Sequence, residues 1–311
     1  MKIQQIGSRG VLFTFQDGDS PMTGETSVYL IEGRYRFYLC DTFLGNRSMS
    51  VVKNYIQETP RKDLVIFNSH SDYDHIWGNG AFEGCEIVAH EFARRRMEER
   101  WDYDFENLER FQDGEVLKRL PGITFSDRLV FEDDDIEFRY MPGHTPCSSI
   151  CLDRRESVVF VGDLVEDPLP LTLWNDLITF MESLKTILES SCQTVISGHS
   201  GIIVAGNLIR SNLEYLKALF LGEEIDVEEG EETHLFNTKY LDFLHYEDIA
   251  RKMLGEKFDF VQFKREFWQM LGVERESLKF ESRLIRQTPS ERLEEIWPQY
   301  EELLNSRKAL E

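Results

Sequence analysis

Residues Asn68–Gly80 read NSHSDYDHIWGNG and place His70, Asp72, Asp74 and His75 within six positions. Imidazole offers a neutral nitrogen and carboxylate an anionic oxygen, a mixture suited to zinc, iron or manganese. A polar loop can carry such residues and bind nothing, so the stretch alone leaves both readings open. Three further residues weigh toward a metal, each just past a predicted strand: His144 in MPGHTPCS, Asp163 in VGD and His199 in SGHSG. A glycine beside each permits a tight turn that brings a side chain out at a sheet edge.

The elements that must position these turns are legible as patterns. VLFTF and SVYLIEGRYRFYLCD are rich in Val, Tyr, Phe and Ile and predict strands, with EGR as a hairpin turn. DLVIF is a short, nearly continuous apolar run of the buried-strand kind, and it leads directly into the His/Asp loop. A charged helix is expected from about Glu91 to Gln112, then strands in RLVFEDDDIEFRYM, SSICLD and SVVFVGD. Leu173, Leu177, Met181, Leu184 and Leu188 recur at three or four residues and predict an amphipathic helix ahead of the strand TVISG. This alternation predicts an α/β sandwich.

From Asn207 to Glu311 the chain reads as a mainly helical C-terminal extension, following a first domain of residues 1–206. Thr288, Pro289 and Glu291 predict a capped helix start, and Pro298 a kink or a division of the last helix. The acidic EEIDVEEGEE predicts a solvated loop.

With 311 residues, 57 acidic against 35 basic side chains and a net charge of -22, the chain is a poor candidate for nucleic acid. The RRR of Arg94 to Arg96 reads as a solvated helix face. No run approaches a membrane span and the N-terminus lacks a signal-like pattern, so a soluble, unsecreted protein is expected. Five scattered cysteines without a CxxC pair fit a reducing cytoplasm.

Taken jointly, HSDYDH, GHTPCS, VGD and SGHS resemble the hallmarks of the metallo-β-lactamase-fold superfamily. They come in that family's order, with 69, 19 and 36 residues separating His75, His144, Asp163 and His199. The early FYLCDTFLG, with Asp41, resembles the strand whose aspartate supports the site from behind. The resemblance covers about residues 7 to 205 and implies a four-layer αββα sandwich with a dinuclear site at one edge. It assigns His70, Asp72 and His144 to a first divalent ion and Asp74, His75 and His199 to a second, with Asp163 between the two. Asp74 would also orient the nucleophile.

Asp72 departs from the family, which usually has histidine there. Either Asp72 is a ligand, since a carboxylate oxygen lies as many bonds from Cβ as the Nδ1 that such a histidine uses, or the first position is weakened and one ion or none binds. As a ligand it lowers the charge left by two divalent ions from +2 to +1, which acidifies a bound water less and favours a hard ion such as iron.

The resemblance implies metal-dependent hydrolysis of a small-molecule ester, thioester, lactone or phosphoester by a hydroxide at the dinuclear site. Two alternatives stand beside it. One is a di-iron protein that reacts with or senses oxygen or nitric oxide, related to flavodiiron proteins, which carry a carboxylate at the position of Asp72. The other is a noncatalytic scaffold. The aromatic-rich extension suits core packing, a cover over the site's mouth or a homodimer interface. His90 is expected to open a helix, His234 and His245 to be bystanders, and Trp77, Asn79, Trp174 and Cys147 to be packing residues beside the ligand turns.

Overall fold

The computed structural model describes residues 1–16, 24–59, 62–203 and 206–309. Two sheets lie face to face. The first takes its strands in chain order: β1 (Lys2–Ile6), β2 (Gly10–Gln16), β3 (Glu25–Glu32), β4 (Arg36–Cys40), β5 (Asp63–Asn68), β6 (Glu86–His90) and β7 (Ile123–Phe125). It is antiparallel as far as β4 and parallel from β4 to β7. The second runs β8 (Arg128–Phe131), β9 (Ile136–Tyr140), β10 (Ser149–Asp153), β11 (Val158–Phe160), β12 (Thr194–Ser197) and β13 (Gly201–Ile203). Only its β11–β12 pair is parallel.

Why the strands read as continuous apolar runs is clear from the two faces they cover. Side chains alternate across a strand: Val65 and Phe67 point between the sheets with Phe138 and Phe160, while Ile66 points out toward helices. Helices α1 (Asn46–Gln57), the single turn α2 (Tyr73–Ile76) and α3 (Glu91–Asn107) follow in the first half of the chain. Met49 and Val52 of α1, and Ala93 and Met97 of α3, cover the outer face of the first sheet. On the outer face of the second, α4 (Leu177–Glu189) and α5 (Asn207–Leu221) contribute Phe180, Leu184, Ile209 and Leu216. The result is the expected four-layer αββα sandwich, and α5, beyond residue 206, belongs to its outer layer.

Two helix boundaries differ from expectation. Helix α4 starts at Leu177, because Asp176 caps it by accepting the Thr179 N–H at 3.0 Å; Leu173 lies upstream, donating its N–H to the His144 carbonyl at 2.9 Å. Charged α3 stops at Asn107 and continues as a short 3-10 turn, Glu109–Phe111.

The remaining helices, α6 (Glu231–Leu254), α7 (Phe260–Met270), α8 (Glu281–Gln287) and α9 (Ser290–Ala309), bury a separate core of Phe243, Phe263, Phe267, Trp268 and Tyr300. Each such aromatic contributes roughly 1.5–3 kcal/mol relative to exposure. Thr288 closes α8 instead of opening α9, donating its hydroxyl to the Leu284 carbonyl at 2.8 Å. Helix α9 runs unbroken through Pro298, with Leu293, Ile296, Tyr300 and Leu304 packed on either side of the proline.

These helices dock on α3. Arg251 pairs with Glu99 at 3.0 Å, and the Tyr103 hydroxyl donates to Glu281 at 3.3 Å. Glu281 also accepts from buried Lys264 at 2.6 Å and from the Trp268 indole at 3.0 Å. Among the described residues no helix is long and apolar enough to cross a membrane.

Candidate metal centre

Every candidate side chain emerges at one end of the two sheets, because β4, β5, β9, β11 and β12 deliver their C-terminal ends there. Asp41 follows β4 in a left-handed backbone, φ 64°, a conformation that aspartate tolerates better than most residues. Its buried carboxylate accepts the Ser69 N–H, the Ser69 hydroxyl and the His75 Nδ1–H, all at 2.7 Å. One acid thus fixes the start of the His/Asp loop. The turn α2 is held further by Thr42, whose N–H donates to the His75 carbonyl at 2.9 Å, and by the interlocked amides of Asn68 and Asn79. Asn79 therefore supports the loop from inside, and Trp77 is buried in the core.

All four histidines are tethered through Nδ1. His75 donates to Asp41; His144 to the Leu171 carbonyl at 2.8 Å; His199 to the Glu25 carbonyl at 2.9 Å. His70 Nδ1 lies 2.9 Å from Ser69 Oγ, whose own proton goes to Asp41, leaving the oxygen to accept. With Nδ1–H engaged behind, each ring in its neutral form turns the lone pair of Nε2 forward, as metal-ligating histidines do.

Those four nitrogens converge on one atom. Asp163 Oδ2 lies 3.1 Å from His75 Nε2, 3.1 Å from His199 Nε2, 3.5 Å from His70 Nε2 and 3.7 Å from His144 Nε2. Asp72 Oδ2 stands 3.4 Å from His144 Nε2 and 3.7 Å from His70 Nε2, while Asp74 Oδ2 stands 3.3 Å from His199 Nε2 and 3.7 Å from His75 Nε2. Two glycines make the approach feasible. Gly162 has φ 54° and a Cβ there would meet Ser69 Oγ at 2.7 Å; a Cβ on Gly198 would collide with the Asp163 carboxylate.

The two sheets are also joined here by main-chain bonds. Ser27 N–H donates to the Gly198 carbonyl at 2.6 Å and Ser149 N–H to the Ser69 carbonyl at 2.8 Å.

The donor set fits metal ions. His70 Nε2, His144 Nε2 and Asp163 Oδ1 are buried without a hydrogen-bond partner, which is costly unless something positive sits among them. Burial disfavours the ionised form of Asp163, but the surrounding rings of His199, His75 and His70 outweigh it and hold its carboxyl well below the usual range. Burial likewise opposes charge on His144, yet Asp72 and Asp163 push its pKa up to about 9. His75 and His199 are raised in the same way, against their burial, by Asp163 and Asp74. The carboxylates thus draw protons onto the imidazoles, in the places where divalent ions would compete with them.

Asp72 shows the same balance: burial raises its pKa, while His144, His70 and Arg100 together lower it strongly. Arg100, on α3, is largely buried, stays charged beside Asp104 and Asp72, and leaves its Nε without a hydrogen-bond partner. Its charge offsets the additional negative charge that Asp72 brings. On a charged helix Arg100 looks like any other basic residue in the sequence, so nothing there marked it. Of the RRR run, Arg95 pairs with Glu91 at 3.0 Å, Arg94 with Glu98 at 2.9 Å, and Arg96 reaches Ser71 at 3.4 Å.

The cluster forms the buried end of a cavity of about 320 Å³. Leu171 and Leu173 flank it from the segment before α4, and Phe236, Tyr240 and Ile285 roof it from α6 and α8. Glu166 also lines it, its carboxyl raised to about 7 by burial and by the charge of Asp163. Cys147 is buried, with Sγ 3.5 Å from the Ser71 hydroxyl. His90 caps α3 by accepting the Phe92 N–H, and His234 packs on Tyr215, so neither reaches the cluster.

A sandwich of this layering with imidazoles and carboxylates at one edge defines a class of metal-binding hydrolases. The chain matches the metallo-beta-lactamase superfamily over residues 22–204, a span that holds every candidate ligand; it belongs to that superfamily and is one of its hydrolases. It is 25% identical to the acyl-coenzyme A thioesterase MBLAC2 of Homo sapiens in an alignment of 239 residues, covering 66% of this chain and 84% of that one. The Gallus gallus protein of the same name is also 25% identical, with 66% and 83% covered. Among solved structures, a metallo-beta-lactamase from Pontibacter korlensis shares the fold at TM-score 0.56 and 19% identity, covering 70% of this chain and 98% of its own. DIM-1 metallo-beta-lactamase does so at TM-score 0.57 and 16% identity, covering 70% and 97%.

Proposed function

We propose that this chain hydrolyses a small-molecule thioester at a site that holds two divalent ions, with His70, Asp72, His144 and Asp163 around one and Asp74, His75, His199 and Asp163 around the other. The observation that carries it is the convergence of four tethered Nε2 atoms on Asp163 Oδ2 at the buried end of a cavity. Bound there, zinc, manganese or iron would supply a Lewis acid and a water acidified enough to act as a nucleophile near neutral pH. In the reaction water adds its oxygen to the acyl carbon, the C–S bond breaks with its electron pair going to sulfur, and the sulfur takes up a proton.

The chain's own residues define the rest. Asp74, whose Oδ2 lies 3.3 Å from His199 Nε2, orients the attacking water. Leu171, Leu173, Phe236 and Ile285 offer an apolar wall to an acyl chain and help exclude bulk water. The thioesterase relatives support thioesters over esters, lactones and phosphoesters. Five unpaired cysteines fit a cytoplasmic setting.

The test is metal analysis of the full chain purified anaerobically, with a panel of thioesters, esters, lactones and phosphoesters assayed before and after chelation. Chelator-sensitive turnover highest on thioesters supports the reading. Two irons, an oxygen-sensitive spectrum and no hydrolysis would replace it with redox chemistry.

A further inference from the structure

The exposed end of the cavity carries a charge pattern opposite to that of the chain. Against a net charge of -22, the lining there includes Arg110, Lys279, Arg283 and Arg286. They come from two places distant in sequence: Arg110 from the 3-10 turn after α3, the others from the approach to α8 and from α8 itself. Like charges gathered at one mouth repel one another, so their grouping costs free energy unless an anion is received among them.

Their surroundings leave the charge available. The Arg110 guanidinium lies between two rings, 4.5 Å from the Phe111 centroid and 4.6 Å from that of Phe280, which orients it. Lys279 has Glu109 at 3.7 Å and is half exposed; Arg286 has Glu232 at 3.2 Å, with that glutamate mostly in solvent. Arg283 is exposed. The Lys279 pair, exposed on both sides, holds weakly and exchanges for a better anion, and the Arg286 pair has its glutamate open to solvent. Two carboxylates outside the ligand set line the cavity; of these Glu281 is committed to Lys264 and Trp268, and Glu166 lies at the buried end beside Asp163.

Thioesters of small carriers differ in whether the carrier is charged, and the cavity is graded in a way that distinguishes them: cations at the mouth, an apolar flank, and the His/Asp cluster at the base. We propose that Arg110, Lys279, Arg283 and Arg286 form a phosphate-binding rim that takes the phosphorylated nucleotide half of an acyl thioester, while the acyl part lies along the apolar flank. This rests on the thioester reading. Arginine forks match phosphate oxygens in pairs, which gives the rim selectivity as well as attraction.

The experiment uses adenosine 3′,5′-bisphosphate as the probe, titrated calorimetrically into the full chain, both metal-loaded and chelator-treated. Two exposed positions are changed together, Lys279→Gln with Arg283→Gln, and Arg110→Gln is made separately; circular dichroism checks folding. Binding to both loaded and chelated chain, weakened about tenfold or more in the double variant and falling with added salt, is the expected result. Binding confined to the loaded chain and unchanged in the variants would place the phosphate on the ions and overturn the rim, as would no binding at all.

A paired assay separates the two readings. The ratio of kcat/KM for an acyl-coenzyme A over the matching S-acyl-N-acetylcysteamine should fall at least tenfold in the double variant. An unchanged ratio with both thioesters hydrolysed rejects the rim and keeps the thioesterase. Rim-dependent probe binding with no thioester turned over keeps the rim and rejects the thioesterase.

Discussion

At the buried end of the cavity each imaginable motion of a ligand is opposed from behind: Asp41, Ser69 and the carbonyls of Glu25 and Leu171 hold the four rings by their second nitrogens. At the opposite wall Phe236, Tyr240 and Ile285 stand on helices with a core of their own. Those helices are attached to α3 by contacts such as Arg251–Glu99 and Tyr103–Glu281. The difference teaches where each property resides. The candidate ligands sit on loops between paired strands, whereas the apolar wall belongs to helices with a core of their own.

Substitutions should separate the two regions by size of effect. Asp163→Ala removes the atom on which both donor sets converge, and hydrolysis should drop by ~10³ or more, about 4 kcal/mol of transition-state stabilisation. Its metal content, read by plasma mass spectrometry, should fall with activity; retention of two equivalents would show that Asp163 is not shared. Asp72→Ala should lose at least one metal equivalent with the fold intact by circular dichroism, and unchanged content would remove Asp72 from the ligands.

Asp41→Asn acts one step back. It keeps the shape but weakens the hold on His75 and Ser69, and metal affinity should fall roughly 10–100-fold. If competition with a chelating dye gives the wild-type value, the tether contributes nothing. On the roof, Arg251→Ala should be the mildest change, at most ~1 kcal/mol of docking for a partly exposed pair. Steady-state kinetics should show KM raised severalfold with kcat nearly kept. A collapse of kcat there would mean that the roof shapes the cluster too.

Acid should also act on the base of the cavity before the roof. In the metal-free cluster the pKa values of His144, His75 and His199 are raised, His144 to about 9, so ions must displace protons to bind. Metal retention on dialysis should therefore decline as pH falls from 8 toward 5, while near-ultraviolet circular dichroism of the aromatic extension stays unchanged. Retention that rises on acidification would contradict the assignment.

What could be read from residues follows the same division. His70, Asp72, Asp74, His75, His144, Asp163 and His199 were visible because they lie in turns shortly after nearly continuous apolar runs, and strand ends in a sandwich are constrained to one edge. Leu173 misled because its spacing continues the apolar series of α4, while the capping carboxylate of Asp176, three residues later in the chain, starts that helix only at Leu177. Pro298 does not divide α9, and Ile296 and Tyr300 on either side of it pack into one core. The roof and Arg100 left no local trace: a cavity wall made by elements such as Leu108 and Ile285 has no periodic signature, and a basic residue on a charged helix resembles its neighbours.

The cross-sheet bonds Ser27–Gly198 and Ser149–Ser69 bear on how such a protein would be made. They close the seam between the sheets with main-chain atoms, so the ligand turns are held at one edge by bonds that need no ion. The metal-free chain should therefore keep its far-ultraviolet circular dichroism, unlike small domains that gain their structure from zinc, and the ion it carries should follow the supply at hand.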